Sequence, residues 1–197
     1  MEQPGSGLAG LVVGCDDGRV EKLGPQAGFT AVACISWDNR LRLPLAGSLG
    51  LVRVDGVDAT SVLAGLVLRL GAAGRPVLLD SLTIGGFNIV SPPGVERLTG
   101  SPVIAVYNYR PSLERLESGL RSSRLPLAGV RARVLSLVEE AVEASTPRGP
   151  VYLVAWGLEA SEARRLVLET QVYGRKPEPV RIAHYTASEA SEALKRV

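Results

Sequence analysis

The sequence predicts an α/β protein built on a mixed sheet, with three antiparallel strands first and helices on both faces. Three observations carry that expectation. With 197 residues and 46% hydrophobic content, the chain has ample apolar material for one domain of ordinary size. Apolar runs in the first part of the chain are joined by short links, the pattern of an antiparallel meander. From Thr60 onward, segments with helical spacing alternate with apolar runs, which builds helices onto both faces of a sheet.

Leu8 to Cys15 is small and apolar and breaks at Asp16-Asp17-Gly18, as a buried strand does at a turn. Phe29 to Asp38 reads as the second strand, and Ser48 to Val54, after the link Pro44 to Gly47, as the third. Thr60 to Leu70 carries Val62, Leu63, Leu66, Val67 and Leu70 at helical spacing, with Asp58 or Thr60 as its cap. Arg75 to Asp80 is a continuous apolar run, as expected of a central strand covered on both sides. Ser91-Pro92-Pro93 starts a short helix to about Thr99, and Pro102 to Tyr109 is the next strand. Ser112 to Ser122 and Val130 to Ala144 read as helices, Pro150 to Gly157 as a strand, Ala160 to Tyr173 as a helix, and the segment from about Val180 as the last helix. Neither repeats nor an interdomain linker interrupt this order, so residues 1–197 are expected to form a single domain.

The net charge of +2 gives no strong pull toward a polyanion. Basic residues are nearly all arginine, the exceptions being Lys22, Lys176 and Lys195. Arginine suits bidentate phosphate contacts, although a codon or thermal bias toward arginine is the more ordinary explanation. No apolar run is long enough to span a membrane and no secretory signal opens the chain, so a cytoplasmic protein without a membrane partner is expected. Cys15 and Cys34 lack metal spacing and read as buried small residues. A disulfide between them is the alternative for a hyperthermophilic source, since neighbouring strands would carry them.

All six aspartates, Asp16, Asp17, Asp38, Asp55, Asp58 and Asp80, lie in the first 80 residues. Asp16, Asp55 and Asp80 each close an apolar strand. In a three-strand meander the first and third strands run parallel, and a fourth that pairs parallel to the first ends at the same edge. Topology therefore permits three carboxylates at one place. Clustered carboxylates repel unless a cation sits among them, and Mg²⁺ or Mn²⁺ takes oxygen ligands while leaving room for phosphate oxygens. The plainer reading is that aspartate simply favours turns, as in Asp17-Gly18 and Asp55-Gly56.

His184 is the only histidine, and a lone histidine is more often a packed or surface residue than a catalyst. Gly85-Gly86 allows close backbone approach but has no phosphate-loop spacing. Trp37, Trp156, Tyr107 and Tyr109 offer rings for base stacking or for the core. No nucleophile elbow, phosphate-binding loop or dinucleotide fingerprint is present.

Several motifs in order bring a family into view: GCDDG at 14–18, VDGVDAT at 54–60, LLDSLTIGGFNIV at 78–90, AWG at 155–157 and GRKPEPVRIAH at 174–184. Together they resemble the archaeal endonuclease V-like family called endonuclease dU, over Leu11 to about Ala187. The resemblance implies a ribonuclease H-like fold, a mixed five-stranded sheet with three antiparallel strands first. It places Asp16, Asp55 and Asp80 at the metal-binding positions of endonuclease V. It assigns Asp58 and Asn88 to the smaller family's own motifs, and His184 to a helix that lends a residue to such sites. The chain departs from the pattern at Ser81, where glycine is usual, and at the strand ending Val106 to Tyr109, which lacks the lysine of endonuclease V. Arg110 is the nearest replacement.

Residues and resemblance together predict a Mg²⁺- or Mn²⁺-dependent endonuclease that hydrolyses a phosphodiester in DNA, with RNA as the other candidate, at or near deaminated bases such as deoxyuridine. Asp16, Asp55 and Asp80 are expected to hold the metal, His184 to assist proton transfer, and Asp58, Asn88 and Arg110 to contact or orient substrate. If a base is taken out of the stack, Phe87 and Tyr109 are the candidate rings. Two rival readings are a non-catalytic nucleic-acid-binding protein of the same fold and a small-molecule phosphohydrolase.

Overall fold

The computed structural model describes residues 10–20, 28–122 and 128–194. Seven strands form one sheet in the order β3-β2-β1-β4-β7-β9-β8. These are β1 (Leu11–Asp17), β2 (Phe29–Asp38), β3 (Leu43–Arg53), β4 (Val77–Leu79), β7 (Val103–Tyr107), β8 (Val142–Ala144) and β9 (Val151–Trp156). A small hairpin of β5 (Thr83–Ile84) and β6 (Asn88–Ile89) stands apart from it. The helices are α1 (Ala59–Arg69), α2 (Pro92–Thr99), α3 (Leu113–Ser122), α4 (Ala128–Glu139), α5 (Ala160–Thr170) and α6 (Glu178–Leu194).

The expected meander is present: β1 pairs antiparallel with β2, and β2 with β3. After the α1 crossover, β4 pairs parallel with β1 and β7 parallel with β4, so β1, β4 and β7 end at one edge. The sheet exceeds the expected five strands by two. Antiparallel β9 joins β7, and β8 joins β9.

Side chains alternate between two cores. Val13 and Cys15 of β1, with Val77 and Leu79 of β4, pack on Leu63, Leu66 and Val67 of α1. Val12 and Leu78 face the other way, onto Leu166 and Val167 of α5 and Val180 of α6. The period of two therefore sorts each strand between helices on opposite faces. Cys15 and Cys34 are Cα partners across β1 and β2 and form a disulfide, with Cα atoms 4.2 Å apart. Of the two sequence readings of these cysteines, the disulfide is the one found.

Several boundaries differ from the sequence reading for definite reasons. The β3 strand begins at Leu43 and includes Pro44, which the sequence places in a link. It is an edge strand, where a missing N–H costs no ladder bond. The stretch 130–144, one helix by its pattern, splits into α4 and the short strand β8, whose partner β9 lies later in the chain. Leu8 and Ala9, placed at the start of the first strand by the sequence, lie outside the described residues, as do Lys22 and Lys195.

Candidate active site

The motif GCDDG divides its residues between the two faces of the sheet. Gly14, Asp16 and Gly18 face α6, whereas Cys15 and Asp17 face the opposite side. Both glycines are places where α6 comes too close for a side chain. A Cβ at Gly14 would lie 2.3 Å from the carbonyl carbon of Pro179, and one at Gly18 would lie 2.3 Å from the Ala187 oxygen. The helix therefore lies directly against β1 on both sides of Asp16. His184, between those two contact points in the helix, reaches Asp16 Oδ2 with Nδ1 at 3.1 Å.

The second cation at Asp16 comes from the loop that leads into α6. Lys176 Nζ is 3.4 Å from Asp16 Oδ2 and 2.9 Å from Asp80 Oδ1. Asp80 follows β4, the parallel neighbour of β1, so the two carboxylates meet at the shared edge as topology permits. Asp16 is buried, while the Asp80 side chain is 38% exposed. The pair is thus reachable from solvent at the Asp80 side.

Electrostatics follow from that crowding. Burial, then the Asp16 charge, push the Asp80 carboxyl above its ordinary value, and Lys176 only partly offsets this. Burial alone would lower the Lys176 ammonium, but the Asp16 and Asp80 carboxylates outweigh it and raise it. The hydrogen bond to Asp16 raises the His184 imidazole, favouring its protonated form. Asp17 is pushed up to about 7, first by burial and then by the neighbouring Asp16 charge.

Asp17 and Asp55 meet a different partner, the hairpin turn between β5 and β6. Asp17 Oδ2 accepts from Gly85 N–H at 2.7 Å, and Asp55 Oδ1 accepts from Phe87 N–H at 2.8 Å. Asp55 also donates its own N–H to the Gly85 oxygen at 2.8 Å and holds φ at 52°. Gly86 has φ 82°, and a Cβ there would sit 2.4 Å from Asp55 Oδ1. The two glycines let the turn press against these carboxylates, which is the close approach that their sequence allows without specifying.

The expected grouping of Asp16, Asp55 and Asp80 is accordingly only part of what is found. Asp16 and Asp80 share a cation, whereas Asp55 is bonded to the hairpin. Among the described residues, no group of three or more His, Cys, Asp or Glu side chains is set to hold a metal ion. Two carboxylates nevertheless suit Mg²⁺ or Mn²⁺, which commonly take one or two and complete their shell with water. The oxygen donors of Asp16 and Asp80 fit such an ion, as does the proximity of two carboxylates, whose mutual repulsion adds to burial in raising Asp80.

Asp58 and Asn88, expected at the substrate, are placed in the scaffold. Fully buried Asn88 donates to Asp58 Oδ1 at 2.6 Å and to the Arg53 oxygen at 2.9 Å, and accepts from Ala59 N–H at 2.9 Å. That network fixes the β3–α1 turn behind Asp55. Arg110 is exposed beyond β7, where its charge acts on the Tyr152 hydroxyl. Phe87 is part-buried against the core, and a Cβ on Gly119 of α3 would collide with its ring. Ser81 donates its hydroxyl to the Thr83 oxygen at 2.6 Å and accepts from Thr83 N–H at 3.0 Å, which closes the turn after Asp80.

Sequence reasoning misses Lys176 and the separate role of Asp17. A signal for Lys176 exists: it is one of three lysines in an arginine-rich chain and lies inside GRKPEPVRIAH.

Comparison with known proteins bears on the family and the fold. The model of the family described as Endonuclease dU matches residues 10–191. A UPF0215 protein of Aeropyrum pernix is 97% identical over 185 residues, covering 94% of this chain and 100% of its own length. A UPF0215 protein of Archaeoglobus fulgidus is 34% identical over 139 residues, 70% of this chain and 74% of that protein. Among solved structures, one from Archaeoglobus fulgidus has a TM-score of 0.75 at 28% identity, over 91% of this chain and 97% of its own. Endonuclease V of Ciona intestinalis, in complex with a 24mer DNA containing an inosine followed by a ribo-adenosine, has a TM-score of 0.57 at 13% identity, over 93% and 87%. Human ENDOV has a TM-score of 0.58 at 17% identity, over 94% and 85%. The mixed sheet and its helices thus match those of the solved endonuclease V structures, and the chain belongs to the endonuclease dU family.

Proposed function

We propose that the protein is a divalent-metal-dependent endonuclease that hydrolyses phosphodiester bonds in DNA, at or near deaminated bases such as deoxyuridine. The observation that carries this reading is the convergence of Asp16, Asp80, Lys176 and His184 at one open sheet edge. Asp16 and Asp80 would hold Mg²⁺ or Mn²⁺ with water completing the shell. When bound, the ion lowers the pKa of water and neutralises charge on the phosphate.

The chain's own residues supply the rest. Lys176 places a positive charge beside the carboxylates, where a phosphodiester oxygen gains negative charge. His184, oriented through Nδ1 by Asp16 and favoured as imidazolium, would deliver a proton from Nε2 to the leaving oxygen. Asp17 and Asp55 would keep the hairpin turn seated beside this edge, so that it bounds the cleft.

A second reading, a non-catalytic nucleic-acid binder of the same fold, is favoured by one observation: Lys176 already bridges the two carboxylates. The test is a nicking assay on duplex and single-stranded oligonucleotides with one deoxyuridine, in Mg²⁺, Mn²⁺ or EDTA. The nuclease reading expects metal-dependent product that an Asp80→Asn variant loses. Salt-sensitive binding with no product in any metal would establish the second reading instead.

A further inference from the structure

Exposed aromatic rings of this chain gather around the acidic edge, and arginines are stacked on them. Tyr109, Tyr173 and Tyr185 are 74%, 76% and 58% exposed. Arg175 lies over the Tyr109 ring at 4.9 Å, while Arg181 lies over both Tyr173 at 5.5 Å and Tyr185 at 5.4 Å. The chain has only five tyrosines, so this concentration is not a general surface habit.

Their neighbours fix them relative to the carboxylates. Arg175 precedes Lys176, the residue that bridges Asp16 and Asp80, and donates Nη1 to the Asn108 oxygen at 2.9 Å, tying the loop before α6 to the end of β7. Tyr185 follows His184, and the two rings stand 5.8 Å apart, edge to face. Arg181 is held in its plane by the buried carboxylate of Glu178, which accepts from Nε at 3.1 Å. Tyr109 with Arg175 is therefore tied to the loop that carries Lys176, and Tyr173 with Arg181 and Tyr185 to the helix that carries His184. Arg148, exposed and bonded to the Val172 oxygen, adds positive charge beside Tyr173.

We infer that this arginine-tyrosine rim is a stacking surface for an unpaired nucleic-acid strand, seating bases on the loop and helix that bring Lys176 and His184 to Asp16 and Asp80. The inference rests on the reading of that site as acting on a nucleic-acid phosphodiester. The physical reason for a single strand is that both faces of an unpaired base are open to a tyrosine ring or a guanidinium plane, whereas in a duplex adjoining pairs cover them. Sequence would matter little, because every base has a π-face. Arg175 and Arg181 act as positioning residues for the rings as well as charges toward the backbone.

The experiment is fluorescence anisotropy of the full chain in EDTA, with labelled oligo(dT), oligo(U) and a hairpin duplex. Wild type is expected to bind at least one of the two single strands about tenfold or more tighter than the duplex. Each of Tyr109→Leu, Tyr173→Leu and Tyr185→Leu should weaken that binding roughly fivefold or more, with an unchanged melting temperature. The matching Tyr→Phe variants keep the ring and should bind within about twofold of wild type. Equal affinity for single strand and duplex, no binding to either, or a triple Leu variant that binds like wild type would overturn the inference. With metal absent, none of these outcomes depends on whether the protein cleaves, so the two proposals fail separately.

Discussion

Lys176 and Asp80 form a 2.9 Å ion pair across the edge of the sheet, and the same ammonium reaches buried Asp16 at 3.4 Å. A cation from the loop before the last helix thus joins two carboxylates contributed by adjacent parallel strands. This small triangle organises the electrostatics of the whole edge.

Removing the ammonium leaves two carboxylates facing each other. Lys176→Met should lower stability at pH 8 by about 1–3 kcal/mol, less than for a fully buried pair because Asp80 is 38% exposed. The sign follows from Asp80, whose folded carboxyl is already raised by burial and by Asp16 and rises further without Lys176. A raised carboxyl gives stability that is lost as pH climbs, so the deficit should grow between pH 5 and pH 8. Urea denaturation in EDTA at both pH values measures it, and a pH-independent deficit would contradict the account.

Asp17 provides a cleaner titration. Its folded pKa of about 7 lies well above the ordinary carboxylate value, so between roughly pH 4 and pH 7 the native state binds more protons than the unfolded chain. Wild-type stability should therefore fall across that window as pH rises. Asp17→Asn removes this contribution and should flatten the slope while leaving Gly85 N–H an oxygen acceptor. Denaturation curves at half-unit pH steps in EDTA would show it, and identical slopes for the two proteins would refute the assignment.

The alternation in GCDDG carries more of the site than its two acids suggest when taken as a pair. A strand ending in two acids sends them toward opposite faces, so Asp16 goes to α6 and Asp17 to the hairpin, while the two carboxyls stay close enough for the Asp16 charge to act on Asp17. The meander, the parallel return of β4 and the meeting of Asp16 with Asp80 all follow from local patterns and the crossover. Asp55 does not follow, because its place is decided by a hairpin of two-residue strands, too short to leave a period. Asn88 sits in a motif but is buried in the scaffold, since a fully satisfied amide and a ligand-binding one look alike in sequence. Lys176 lies 96 residues beyond Asp80, and only the folded path of the chain brings them together.

Close packing at Gly14 gives a geometric prediction. A Cβ at that position would lie 2.3 Å from the Pro179 carbonyl carbon, so Gly14→Ala must push α6 away from β1. The expected cost is about 1–3 kcal/mol in stability, accompanied by loss of the His184–Asp16 contact. The His184 imidazole pKa, followed by NMR, should fall toward its ordinary value, because the Asp16 hydrogen bond is what raises it. An unchanged imidazole titration would show that the glycine does not hold the helix to its site.

The Cys15–Cys34 disulfide joins strands 19 residues apart in sequence within the larger core. Closing a loop of that size restricts the unfolded chain by an amount worth about 2–4 kcal/mol. A Cys15→Ala, Cys34→Ala double variant should melt roughly 5–15 °C below wild type in scanning calorimetry. A melting temperature equal to that of the wild type would mean the bridge adds nothing to stability.

Mn²⁺ titration followed by the paramagnetic signal of the free ion addresses the centre itself. Wild type should take up Mn²⁺, Asp16→Asn and Asp80→Asn should each lose that uptake, and Lys176→Met should bind about tenfold more tightly once the neighbouring positive charge is gone. Uptake undiminished in both aspartate variants, or weaker binding by Lys176→Met, would contradict a divalent-cation centre at Asp16 and Asp80.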